Sequence, residues 1–178
     1  MNCKLRIINM IESDEYRMRA LQAASSLNLP DWLIAAGFIR NMIWNNIFDV
    51  NENVTDIDVV YFCPQDNSEN RDQILEEKLR ALEPEMPWSV KNQARMHVRN
   101  GDAPYKNTVD AMSYWPEKQT AIGARLYNGE IMVRHCFDLE PQFNGKITHN
   151  SVKPIALFND RIRERKWLTT WPLLQINY

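Results

Sequence analysis

Along the chain, apolar positions fall at two spacings. Met18, Leu21, Ala24 and Leu27 recur every three residues behind Ser13, Asp14 and Glu15, whose side chains suit the free amides and positive end of a helix. Leu29-Pro30 predicts the end of that helix, because the residue before proline is pushed out of the α region. Trp32 to Ala36 then form a compact apolar run, Gly37 follows, and Ile39, Met42, Ile43 and Ile47 return to three- and four-residue spacing. This predicts a short strand, a tight turn at Gly37 and a helix reaching about Phe48. Asp56 to Phe62 (DIDVVYF) is rich in β-branched and aromatic residues and stops before Pro64, as a second strand would.

Further on, residues 68–83 place Leu75, Leu79 and Leu82 on one helical face behind Ser68 as cap. Residues 88–98 (WSVKNQARMHV) alternate, with Val90, Ala94, Met96 and Val98 on one side and Lys91, Gln93, Arg95 and His97 on the other. A strand with one dry and one polar face is expected there, interrupted on its dry side by Asn92. Asn128-Gly129 between β-favouring runs predicts a hairpin with strands near 120–126 and 130–135. Residues 155–168 read as a basic helix ended by the run into Pro172. Mixed strands and helices give α+β, or irregular α/β, around a mixed β-sheet flanked by helices.

No repeat, low-complexity tract or long Gly/Ser linker divides the chain, so 1–178 is treated as a single domain. The first twenty residues contain a short apolar segment broken by charges, which fits neither a secretory signal nor a membrane span. With 178 residues, 44% apolar and 25% charged, the chain should bury roughly 70% of its unfolded surface and needs no metal or disulfide to fold. Twenty-one basic against 23 acidic residues argue against a general nucleic-acid coat or an anionic membrane as partner, while leaving room for a local basic patch. Cys3, Cys63 and Cys136 are far apart and odd in number, which predicts reduced thiols and a cytoplasmic location.

Asp56 and Asp58 change the picture. Side chains at i and i+2 of a strand share a face with Cα atoms roughly 6–7 Å apart, close enough for two carboxylates to converge on one divalent cation such as Mg²⁺ or Mn²⁺. Taken alone, a DxD is more often a loop end plus an exposed strand position. The upstream strand, Gly37 turn and helix raise its weight, since a glycine and free amides at a helix start can meet an anion.

Together, strand–AGFIRN–helix and the DID strand resemble the nucleotidyltransferase superfamily. WLIAAGFIRNMIW, DIDVVYF, WSVKNQARMH, WPEKQTAIGARL and RKWLTTWPLL extend the likeness to a bacterial branch of nucleotidyltransferase-like proteins over nearly the whole chain. The resemblance implies that Gly37 takes the turn, that Arg40 and Asn41 lie at the helix start, and that Asp56 and Asp58 are the catalytic metal carboxylates. It further implies a Mg²⁺-dependent, ATP-binding type of transferase that moves a nucleoside monophosphate from a nucleoside triphosphate to an acceptor hydroxyl. Two departures stand out. Phe38 follows Gly37 where the superfamily has serine, and VKNQARMH offers no third carboxylate. Asn92 or Gln93 is left for that place, with Asp110 or Glu117 as substitutes from the following loop. A non-catalytic nucleotide-binding or protein-interaction module on the same fold therefore stays as the alternative.

Other residues carry weaker signals. Lys91, Gln93 and Arg95 would face the nucleotide if their stripe borders the cleft, and a solvated outer sheet face is as good an account of them. His97 is more often structural than a base, and His135 and His149 have no partner at metal-ligand spacing. The basic run Arg161, Arg163, Arg165 and Lys166 reads first as a solvated helix face and second as a contact for a polyanion such as RNA. Trp88, Trp115, Trp167 and Trp171 suit packing, with Trp115-Pro116 the best candidate for stacking on a base.

Overall fold

The computed structural model describes residues 2–178. Asn2 accepts a hydrogen bond from the Lys4 amide and opens α1 (Cys3–Glu12), which buries Ile7 and Ile11 one turn apart. The charges that seem to break this segment in sequence fall between its apolar positions at helical period. Asp14, rather than Ser13, caps α2 (Glu15–Ser26), its carboxylate accepting from the Arg17 amide at 3.0 Å. Then follow β1 (Leu33–Ala35), α3 (Gly37–Phe48), β2 (Ile57–Tyr61), α4 (Glu69–Leu82), capped by Ser68, and β3 (Trp88–Asn92).

The strand expected over 88–98 stops at Asn92, where α5 (Gln93–Asn100) begins. Asn92 is the reason. It is 0% exposed, and its carboxamide oxygen accepts from the Ala94 amide at 3.1 Å, as a helix cap does, and from Cys63 at 3.0 Å. Its Nδ2 donates to the carbonyls of Cys63 and Asp66, which leaves none of the carboxamide unpaired. Gln93, Arg95 and His97 consequently fan around a helix and do not continue one strand face with Lys91.

The remainder comprises α6 (Thr108–Met112), a 3₁₀ turn (Lys118–Thr120), the hairpin β4 (Ile122–Tyr127) and β5 (Glu130–His135), α7 (Glu140–Phe143), β6 (Lys146–Thr148), α8 (Ile155–Glu164), α9 (Trp167–Thr170) and β7 (Gln175–Asn177). Asn128 and Gly129 both take positive φ in the hairpin turn, as that dipeptide predicts. The basic helix expected over 155–168 divides because Lys166 is left-handed, with φ 53°.

The architecture is α+β. A five-stranded mixed sheet runs β3-β2-β1-β4-β5, with β2 and β3 parallel and the other pairs antiparallel; β6 and β7 form a small separate pair. Ile57, Val59 and Tyr61 turn to one face, where Trp88 and Val90 join Leu21, Phe38, Ile39, Ile43 and Leu79 in the main core. Leu33, Ala35 and Val60, on the other face, meet Met112 and Ala121. Trp44 of α3 packs with Trp167, Trp171, Phe158 and Ile162, and this aromatic cluster fixes α8 and α9 against α3. No helix among the described residues is long and apolar enough to cross a membrane.

Candidate active site

Strand register carries Asp58 to the turn. Asp58 lies opposite Ala35, the last residue of β1, and on its other side opposite Ser89 of β3. Because β2 sends Ile57, Val59 and Tyr61 into the main core, Asp58 and Val60 occupy the opposite face, beside Ser89 and Lys91. Asp56 precedes the strand, and both aspartates line the same two adjoining cavities.

The turn differs in detail from the expectation that Gly37 provides it. The positive φ belongs to Ala36 (φ 58°, ψ −125°), a backbone that L-residues adopt at a cost. Gly37 is already the first helical residue, and a Cβ there would meet only the Arg40 and Asn41 side chains at 3.4 Å. Its contribution is bareness at a helix start. No side chain caps α3, and among the described residues the amides of Gly37 and Phe38 have no acceptor. Of the two, Gly37 lines the smaller cavity, and a free amide at the positive end of a helix suits an anion. Phe38 itself is wholly buried in the core, so the position after the glycine contributes packing and no hydroxyl.

Arg40 is 5% exposed and stays in the site's floor. It donates to Asn41 Oδ1 through Nε (3.1 Å) and Nη2 (2.9 Å), and to the Thr120 hydroxyl through Nη1 (2.7 Å), while its guanidinium lies 4.3 Å from the Trp167 ring centroid. Burial lowers its pKa to about 10, against the pull of Glu117, so it is still a cation at neutral pH.

The smaller cavity, about 110 Å³, lies between Gly37, Arg40, Asn41, the two aspartates, Arg161 and Arg165. The larger, about 860 Å³, shares Ala36, Asp56, Asp58, Thr120, Arg161 and Arg165 with it and extends past Ser89, Lys91, Gln93 and the Tyr114-Trp115-Pro116 run. Burial first, and then the neighbouring Asp56 charge, push the Asp58 carboxyl up to about 6; Arg165, Arg40 and the Ser89 hydroxyl pull the other way. Asp56 is raised as well, chiefly by burial and against Arg165. Two part-buried carboxylates side by side repel each other, and a cation between them would relieve that repulsion. Their hard oxygens fit a divalent ion such as Mg²⁺, which takes one or two protein carboxylates and keeps its other positions for water and phosphate.

Of the remaining sequence-predicted residues, Lys91 and Gln93 line the larger cavity. Arg95 does not. It turns to α4 and pairs with Asp72, which is 2% exposed, so the expected shared polar face of Lys91, Gln93 and Arg95 is absent. His97 packs edge-on to Tyr105 with its Nδ1 at the Ala94 carbonyl. The stand-ins for a third acid are elsewhere too. Asn92 is consumed by its cap and loop bonds; Asp110 accepts from the Lys106 amide; Glu117 pairs with Arg161. Ser89 occupies the β3 position beside Asp58, and among the described residues no group of three or more His, Cys, Asp or Glu side chains is arranged to hold a metal.

Sequence reasoning underweighted Arg161 and Arg165. Their i, i+4 spacing puts them on one side of α8 and its cap, facing both cavities, while Arg163 is exposed and pairs with Asp160. The spacing was legible. That this side closes on the aspartates was not. Thr120, the acceptor for Arg40, carried no signal beyond its place in the WPEKQT block.

A solved NMR structure described as a CCA-adding enzyme head domain matches this chain with a TM-score of 0.85 and 31% sequence identity, covering 98% of this chain and 96% of that one. No curated protein matches. The family model for nucleotidyltransferases matches residues 22–176, the stretch that holds the turn, both aspartates, the arginines and all five strands of the main sheet, and the chain belongs to that family.

Proposed function

We propose that the protein is a Mg²⁺-dependent transferase that moves a nucleoside monophosphate from a nucleoside triphosphate to an acceptor hydroxyl. The observation that carries this reading is the position of Asp56 and Asp58 at the junction of the two cavities, one lined by the Gly37 helix start and arginines, the other roomy enough for a nucleoside and an acceptor. The small cavity suits the β- and γ-phosphates, met by the Gly37 amide with Arg40, Asn41, Arg161 and Arg165 around them. The large one suits the nucleoside, with Trp115 in its lining for stacking and Lys91 and Gln93 also lining it.

A divalent cation on Asp56 and Asp58 would offset charge on the phosphates. The acceptor hydroxyl oxygen attacks the α-phosphorus while the bond to the β-phosphate oxygen breaks, the hydroxyl proton passes to solvent, and pyrophosphate leaves with its charge held by the arginines. Catalysis is then mostly orientation plus the positive field of the arginines and the cation. The likeness to a CCA-adding enzyme head domain adds a nucleic-acid 3′ hydroxyl to the acceptors worth testing, with CTP and ATP as donors.

The test is incubation of the protein with each labelled nucleoside triphosphate, Mg²⁺ or Mn²⁺, and a panel of acceptors that includes RNA 3′ ends and small hydroxyl compounds. Labelled product and pyrophosphate, both lost in Asp58→Asn, are expected. Ser89 beside Asp58, where an acid is missing, favours a second reading: a nucleotide-binding module without turnover. Tight binding with no product across the panel selects it.

A further inference from the structure

Glu117 is 0% exposed, and one of its oxygens accepts from Nε of Arg161. The other, Oε2, is buried with no hydrogen-bond partner among the described residues. Its backbone is held on both sides: the Glu117 carbonyl accepts from the Thr120 amide at 3.1 Å, and the residue bridges to His149. Glu117 lines neither cavity, whereas Arg161 lines both.

As a stabilising device this arrangement is poor. Removing a carboxylate from water is costly, and the attraction of one partner at one oxygen offsets that only in part. What it achieves is direction. A guanidinium bound through Nε keeps both terminal nitrogens for other acceptors, and those of Arg161 have no other partner among the described residues. Three residues on, the Thr120 hydroxyl takes a terminal nitrogen of Arg40, and Glu117 is the foremost attractive charge on that buried arginine. One short segment, 117–120, thus steers two arginines that border the small cavity.

We propose that Glu117 is a positioning residue, which never touches the nucleotide and fixes Arg161 with its terminal nitrogens toward the triphosphate. The proposal rests on the nucleotide-site reading above. It is tested by equilibrium binding of the four ribonucleoside triphosphates with Mg²⁺ to the full chain, with a thermal melt on each variant. Glu117→Gln and Arg161→Met should each weaken the best-bound triphosphate about tenfold, the loss of one charge-assisted contact. The double variant should bind no more weakly than Arg161→Met, because a residue that acts through Arg161 has nothing to act on once Arg161 is gone.

Wild-type affinity in folded Glu117→Gln, or losses that multiply in the double variant, would overturn the proposal and leave the nucleotide site standing. Arg161→Lys, at a half-exposed position, decides the matter if Glu117→Gln does not fold. It keeps the charge and loses the fork that Glu117 orients, so it should bind more weakly than wild type though more tightly than Arg161→Met, and wild-type affinity there also overturns the assignment. Wild-type protein that binds no triphosphate at millimolar concentration would overturn the site reading and this inference with it.

Discussion

Ala36 holds a backbone conformation that glycine adopts freely and alanine does not, at the junction where β1 becomes α3. Strain of this kind costs on the order of 1–3 kcal/mol, against roughly 0.5–1 kcal/mol for the extra freedom glycine has in the unfolded chain. Ala36→Gly is therefore expected to stabilise the protein by about 1 kcal/mol, read as a raised urea midpoint at constant m-value. Asp58 carries the second residue-scale prediction. Its folded pKa of about 6 lies above the ordinary 3.8, so the fold binds this proton more tightly than the unfolded chain does. That contribution is present below about pH 4 and is lost as pH rises through 6. In metal-free protein, Asp58→Asn should gain stability over wild type from pH 4 to 6 and hold the gain above, by at most about 3 kcal/mol. Paired thermal melts across that range check it, and a difference that does not vary with pH would refute it.

At the scale of elements, α4, β3 and α5 are joined by one buried carboxylate. Asp72 accepts from the Tyr61 hydroxyl at 2.7 Å and from the Asn92 amide, and pairs with Arg95. Arg95→Ala strands that charge and should cost roughly 3–5 kcal/mol of stability. Nucleotide affinity, measured on the surviving folded fraction, should be unchanged, because Arg95 borders neither cavity at the aspartates. The strand expected over 88–98 led to the opposite assignment. Alternation resumed beyond Asn92 in sequence, and a period of two over eleven residues did not reveal that Asn92 could satisfy both Cys63 and the Ala94 amide at the start of a helix. The break at Lys166 is a similar case: helical periodicity ran on through 168, and packing of Trp167 and Trp171 against Trp44 bent the chain.

For the molecule as a whole, binding of a triphosphate with Mg²⁺ should raise the melting temperature by mass action. At a hundredfold excess over Kd this is worth about 2.7 kcal/mol. The rise should be absent in Asp56→Asn/Asp58→Asn and sharply reduced in Arg165→Ala, and scanning calorimetry with and without ligand measures both. The sequence by itself determined the elements whose signals are local: helix periods and caps, the Asn128-Gly129 hairpin, the strand–turn–helix at 33–48, and the two aspartates at i and i+2. It also carried the α+β class and the family likeness. Tertiary structure alone decided which charges meet. Arg161 and Arg165 reach Asp56 and Asp58 from more than a hundred residues away because a tryptophan cluster fixes α8 on α3. Glu117 pairs with Arg161, and Arg95 turns away from the aspartates to pair with Asp72. The physical reason is one of range: backbone preferences depend on neighbours a few residues apart, whereas the direction of a long charged side chain depends on which distant carboxylate the packed core brings within reach.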